Sequence, residues 1–381
     1  MNPVEKEFRK KLIQILLQAG NTIEANTDQV VWKIAGLLKF YRNTTFTDVW
    51  VGNKDLKTKI EVLLKDYSGR ITAMTQRQIR EIWTLTEIKN DMIIKNHIAG
   101  IADVKVSTSK LYKWFNRILP FHIDPKAKIT ISESEIDKIL KSPRNESALN
   151  AFLERQVNGI KLSARVWKIS DTQFKPLIES YLADGIDKAK SAGEISREVR
   201  MYLEEPNKLF RRVRNKEHGN LQLSTKARAY HPGQGVYRSS YKNAIRLTRN
   251  EINEAFRTSD HTRWSAMEFI TGIEVELSEQ HPVTDICDTM QGEYPSDFHF
   301  PGWHVQCLCH ASPVLMPKDK FKKYLAGDKV EVMQISETPQ VFNDWLNNNE
   351  ERINGWSSKP YFMQYNQKYV DHALNKKLIK T

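Results

Sequence analysis

From Tyr237 to Phe269 the chain reads YRSSYKNAIRLTRNEINEAFRTSDHTRWSAMEF, with neither Gly nor Pro to interrupt it. A run this long, free of both breakers and striped at helical spacing, is restricted to one regular conformation. Tyr241, Ile245, Thr248, Ile252, Ala255 and Ser259 form a face suited to burial. Arg238, Lys242, Arg246, Arg249, Asn253 and Arg257 recur beside it and form a second, mostly cationic face. One long helix is expected here, its first face for a core and its second for an acidic partner or solvent. Glu251 and Glu254 on the same helix are expected to offset neighbouring arginines.

The rest of the chain sorts around that helix. Its 381 residues exceed what one domain usually needs, and 40% hydrophobic with 27% charged residues is ordinary for a globular protein. Before Ala148 the periodicity is helical: Leu12, Ile15 and Leu16 near the start, then Ile60, Leu63, Leu64 and Tyr67, then Ile79, Ile82 and Trp83, with Ser68-Gly69-Arg70 as a break between the last two sets. No small-residue cleavage site follows the first apolar run and no segment approaches the length of a membrane span, which predicts a cytoplasmic product without persistent disulfides. From Pro120 a proline-containing linker leads into a short helix capped at Ser132 or Ser134.

Beyond Ala148, Asn158-Gly159 marks a turn, and Phe174, Leu177, Ile178, Tyr181, Leu182 and Ile186 with Ile195, Val199 and Tyr202 predict a helical hairpin. After Gly272 the period changes to two: Ile273, Val275 and Leu277 alternate with glutamates as a half-wet strand, and HVQCLCHASPVLM reads as another. The fold expected is mainly α with a small C-terminal α+β module, in a multi-domain helical protein. Its segments are 1–147, helical; 148–236, hairpin plus basic loop; 237–315, the long helix with the short strands; and 316–381, a polar extension with a helix at PQVFNDWLNNNEERI.

Charge is concentrated. The net charge is +12, and the window from Lys208 to Arg249 holds eleven Lys or Arg against Glu217 alone, so it carries +10 and the remainder +2. Arg211, Arg212 and Arg214 lie in its first part, a Gly-rich stretch expected to be an extended or mobile loop. Cations along a helix face and a loop hold phosphates without reading base sequence. An acidic protein surface or plain solvation would use the same pattern.

The three cysteines, Cys287, Cys307 and Cys309, fall close together, with His281 before them, His299 and His304 among them and His310 after. In a strand Cys307 and Cys309 point to one face, which lets both approach one ion. Their α-carbons would lie roughly 6.5 to 7 Å apart, at or beyond the limit for a disulfide. Zinc takes four ligands, and Cys287, His304, Cys307 and Cys309 make one such set, provided the chain turns between Gly302 and Gln306 to bring His304 round. There is no Cys-x-x-Cys, so the common zinc-ribbon spacing is absent. A metal clasp, a metal-free packed corner and a Cys/His nucleophile pair all remain open at this point.

The order of these features resembles a known family. A helix with LTRNEINEAF, a strand IEVEL, the segment DICDTMQG, an aromatic and proline loop, and HVQCLCHASP together resemble the C-terminal region of phage minor head proteins of the Mu F type, the head morphogenesis family. Asp285, Cys287, Gly292, His304, Cys307, Cys309 and Pro313 fall in register with that family's pattern. Val305, Gln306 and Leu308 depart from its usual Pro, Asn and Arg. The likeness covers about residues 237–315, with a looser likeness back to Ala148. It implies a structural, non-enzymatic protein of the virion, in the capsid interior or at the portal vertex and in the host cytoplasm during assembly. Its partners would be the portal protein, other capsid components and double-stranded DNA, bound non-specifically. Arg211, Arg212, Arg214, Arg238, Lys242, Arg246, Arg249 and Arg257 are then the expected DNA or portal contacts. Two other readings are a phage-delivered effector or nuclease using the Cys/His cluster, and a plain DNA-binding module of a mobile element.

Overall fold

The computed structural model describes residues 3–37, 53–101, 104–106, 129–131, 136, 146–176, 178, 191, 193–194, 196–197, 199, 212–214, 221–223, 239–278 and 284–375. Helical spacing in the first hundred residues is realised as α1, Pro3–Leu37, and α2, Lys54–Ala99. The expected break at Ser68-Gly69-Arg70 does not form. A lone interior Gly costs only about 1 kcal/mol against Ala, and Ser68 bonds within the helix to the Leu64 carbonyl and outward to the Ser170 hydroxyl. In the expected linker, β1, Val104–Val106, pairs in parallel with β2, Ile129–Ile131. Ser132 and Ser134 lie outside the described residues. Two short helices follow, α3, Glu146–Glu154, and α4, Leu162–Ile169, joined through the turn expected from sequence. Asn158 and Gly159 both take positive φ, 51° and 76°, and Val157 bridges Ile160 across them.

Within the basic stretch, β3, Arg212–Arg214, pairs antiparallel with β4, Leu221–Leu223; the rest of the expected extended or mobile loop lies outside the described residues. The long helix is α5, Ser240–Trp264, a few residues shorter at each end than its breaker-free window. After it come β5, Ile270–Glu276; α6, Ile286–Thr289; β6, Gly292–Tyr294; and β7, His310–Leu315. The three strands form an antiparallel sheet in the order β6-β5-β7. Ile273 and Val275 face the core while Glu274 is exposed, as the alternation requires. The chain ends in α7, Lys318–Leu325; α8, Gln340–Asn348; α9, Glu350–Asn354; α10, Tyr361–Tyr365; and α11, Gln367–Asn375. The protein is thus mainly α with a small C-terminal α+β module.

Contacts divide the chain into two units that do not follow the expected segment boundaries. One comprises Met1–Leu12, Arg80–Asn150 and Asn253–Thr381; the other comprises Ile13–Ile79 and Ala151–Ile252. The first holds the sheet and the cysteines in an aromatic core of Tyr294, Phe298, Phe300, Trp303, Phe342 and Phe362. The polar extension belongs to this core, burying Leu346, Ile353, Met363, Val370 and Ala373 in the same cluster. Its asparagines have a structural use: buried Asn366 accepts from the His299 amide and donates to the carbonyls of His299 and Phe362.

The second unit packs apolar stripes of α1 and α2, including Ile23, Val30, Ile60, Leu64 and Tyr67. Its polar lock is Glu251. The carboxylate, fully buried, accepts from Arg155 at 2.8 Å and Arg165 at 2.7 Å, tying the segments around α3 and α4 to α5.

Candidate metal centre

Cys287 is set by its helix start. Asp285 caps α6, its carboxylate accepting from the Cys287 amide at 2.7 Å, while Asp288 accepts in return from the Asp285 amide at 2.8 Å. This reciprocal box fixes the first turn and leaves the Cys287 side chain fully buried.

The other donors come from the loop before β7. Gly302 has φ 101° and Gln306 φ 63°, and the Cys307 amide donates to the His304 carbonyl at 3.2 Å. The chain therefore turns between Gly302 and Gln306, which was the condition for His304 to leave strand parity and face the thiols. Its Nε2 lies 3.1 Å from Cys287 Sγ, and Cys287 Sγ lies 3.7 Å from Cys307 Sγ. Cys287, His304 and Cys307 thus lie close enough together to hold a metal ion, with donor atoms all within 4.8 Å of one another. All three cysteines are free thiols.

The imidazole is oriented for ligation. His304 Nδ1 is 2.9 Å from the Val305 carbonyl, which can only accept, so Nδ1 carries a proton. Nε2 then faces Cys287 Sγ and, at 3.2 Å, Asp285 Oδ2. A neutral ring presents a lone pair to both, which is unfavourable unless a proton or a cation lies between. A ring nitrogen tied to a carbonyl, with the other aimed at the ion, is the usual arrangement of a metal-bound histidine. The thiols share charge unequally. The hydrogen bond that Cys287 and Cys307 share pushes the Cys307 thiol well down, with Arg257 nearby adding to this, and pushes Cys287 up, as burial also does.

Two arginines support this loop from its backbone side. Arg257 donates to the carbonyls of Pro301, Cys307 and Cys309 at 2.6, 2.7 and 2.9 Å, and Arg9 donates to that of Leu308 at 2.6 Å. Gly302 makes room for Arg257: a β-carbon there would come within 2.2 Å of the guanidinium, on a backbone already in the left-handed region. Arg257 is therefore part of the loop's support instead of the contact stripe where its spacing put it.

The remaining candidates are distributed elsewhere. His299 is stacked between His261 and Tyr365, with ring centroids 4.4 and 4.3 Å away. His310 pairs with Glu276 at 2.9 Å and is pushed down to about 4, first by burial and then by Arg9. His281, Arg211 and Arg238 lie outside the described residues, and of Arg212 and Arg214 only the strand is described. Lys242, Arg246 and Arg249 are half-buried, and Arg249 Nε donates to the Leu16 carbonyl at 3.4 Å. Glu251 serves Arg155 and Arg165, outside its own helix, and Glu254 accepts from the Tyr365 hydroxyl.

Sequence reasoning missed Arg9 and its role, and a fully buried group in which Lys89 bonds Asp260 at 2.6 Å and Glu5 at 3.2 Å, with Asn90 donating to Asp260. No local pattern marks partners so distant in sequence. No family model, curated protein or solved structure matches the chain. Among the described residues, no helix is long and apolar enough to cross a membrane.

Proposed function

We propose that the chain is a minor head protein of a tailed phage or prophage, structural and not catalytic, acting at the portal vertex and packaged with the genome. The observation that carries this reading is the meeting of the segments DICDTMQG and HVQCLCHASP at one corner through Cys287, His304 and Cys307. These two segments hold most of the residues by which the chain resembles the head morphogenesis family.

In this reading the corner is a clasp, and zinc is the ion it suits. Zinc prefers thiolate and imidazole donors, and two sulfurs about 2.3 Å from a tetrahedral ion lie roughly 3.8 Å apart, close to the 3.7 Å between Cys287 and Cys307. The ion would hold the loop against α6 and supply no reaction step. Lys242 and Arg246, with the basic stretch around Arg211, Arg212, Arg214 and Arg238, would meet DNA phosphates or an acidic portal surface.

The test is co-expression with the portal protein encoded in the same genome, followed by affinity capture of the portal. The chain should co-purify in a defined ratio that survives moderate salt. Recovery of the portal alone, with the chain folded and abundant in the unbound fraction, overturns the reading.

A further inference from the structure

We infer that Lys89 and Asp260 are the reactants of an intramolecular amide bond, closed with loss of water and with Glu5 as the base, which ties α2 covalently to α5. The inference is independent of the metal corner and of the function proposed above.

The three side chains meet where bulk water does not reach. Lys89, Glu5 and Asp260 are 0%, 1% and 3% exposed, and all belong to the unit that holds the sheet. Lys89 Nζ lies 2.6 Å from Asp260 Oδ2 and 3.2 Å from Glu5 Oε1. The carboxyl carbon is one C–O bond beyond Oδ2, so an amine hydrogen-bonded there stands at roughly the 3–3.5 Å of a near-attack geometry. Phe256 and Trp264 cover the amine, with ring centroids 4.4 and 5.2 Å from Nζ. The second Asp260 oxygen, Oδ1, accepts from the Asn90 amide at 2.8 Å, and Trp264 Nε1 donates to Asn90 Oδ1 at 2.8 Å. An indole nitrogen can only donate, so it fixes which end of the Asn90 amide faces Asp260. Asn90 is thereby aimed at the oxygen on which negative charge develops when the carbon is attacked.

Charge favours the reaction. One ammonium with two carboxylates carries a net negative charge, and buried ions of this kind are costly to keep. One further proton neutralises the group. Asp260, pushed up to about 7 chiefly by burial, is the acid that takes it. Burial pulls the Lys89 amine down, but Asp260 and Glu5 together pull it further up, so it stays charged until a base removes a proton. Glu5, whose oxygens lie 3.2 and 3.5 Å from the amine, is the base within reach. The freed nitrogen lone pair forms the N–C bond at Asp260 Cγ, and the Cγ–Oδ2 bond breaks. Of the three ammonium protons one goes to Glu5, one leaves with the Oδ2 hydroxyl as water, and one stays on the amide. An ammonium, an acid and a carboxylate thus become an amide, a water and an acid, with atoms and charge balanced and nothing oxidised or reduced. A neutral amide then replaces buried charge. The structure holds the groups as reactants, and the titration of Asp260 belongs to that unlinked state.

The experiment is mass spectrometry of the full-length chain, folded at neutral pH, then denatured and digested with trypsin. The intact chain should be lighter by one water than its sequence requires. Trypsin cleaves after a free lysine and not after an acylated one, so residues 81–95 should stay whole and be joined to residues 258–263. Lys89→Arg should lack the joined peptide. Glu5→Gln, followed in time after cell-free synthesis, should form it about 100-fold more slowly or worse, the usual effect of losing a general base. Separate peptides 81–89 and 258–263 from the folded, unsubstituted chain overturn the proposal without any need for a variant to fold. A water lost elsewhere in the chain overturns it equally, and linkage at the parent rate in Glu5→Gln overturns the role given to Glu5.

Discussion

At the scale of single residues, the strongest constraints are charges buried with their partners. Asp260 is pushed up to about 7, chiefly by burial and partly by Glu5, against the pull of Lys89 and Asn90. An acid whose folded pKa is raised holds its proton in the folded state over a window where the unfolded chain has lost it. Its stabilising contribution is full below the ordinary value of 3.8 and disappears as pH rises through about 7. Unfolding free energy measured in urea should therefore decline from pH 4 to pH 7 through this site. Asp260→Asn should remove that part of the slope; an unchanged slope would show the site does not titrate there. Glu251 makes the complementary case. Glu251→Ala leaves Arg155 and Arg165 without their counter-charge and should cost about 3–5 kcal/mol in denaturant unfolding. A loss below about 1 kcal/mol, the value of an exposed pair, would contradict its role as a lock.

At the scale of elements, legibility followed the range of the interaction. The body of α5, the alternation in β5 and the Asn158-Gly159 turn were readable, because each is decided by neighbours within a few residues. The continuity of α2 through Gly69 was not, since tertiary packing outweighs one unfavourable residue. β6 was missed because Gly292–Tyr294 is too short to show a period and is made a strand by its partner β5. The corner was legible as a cluster and, conditionally, as a turn that brings His304 to the thiols. Its arginine support was not legible, as Arg257 and Arg9 sit on cationic or amphipathic faces like many others. The cationic face of α5 also changes meaning with Arg257 turned inward. On this face, Lys242 and Arg246 are two described residues to test for phosphate contact. Filter binding to unrelated duplex DNA at rising salt should give a linear fall of log affinity with log salt. Lys242→Glu with Arg246→Glu should shrink that slope by about 0.9 per contact removed. Affinity indifferent to salt, or a slope untouched by the substitutions, would count against DNA as the partner of this face.

At the scale of the whole molecule, the chain invests its aromatic core, its only sheet of three strands among the described residues and a buried asparagine network in one unit, and that unit carries the thiol corner. The polar composition of residues 316–381 concealed this, because the buried positions are spread singly among many exposed ones. The loop that presents His304, Cys307 and Cys309 is short of regular secondary structure, and its geometry is maintained from outside by Asn366, Arg9 and Arg257. A metal ion would replace its weak contacts with Cys287, from His304 Nε2 and Cys307 Sγ, by coordinate bonds. Native mass spectrometry of the purified chain, with and without chelator, tests that most directly. A single zinc ion per chain is expected, removed by chelation together with a lowered thermal transition, and absent from Cys307→Ser. A chain that carries no metal after purification in zinc-containing medium, and melts identically with and without chelator, would contradict it.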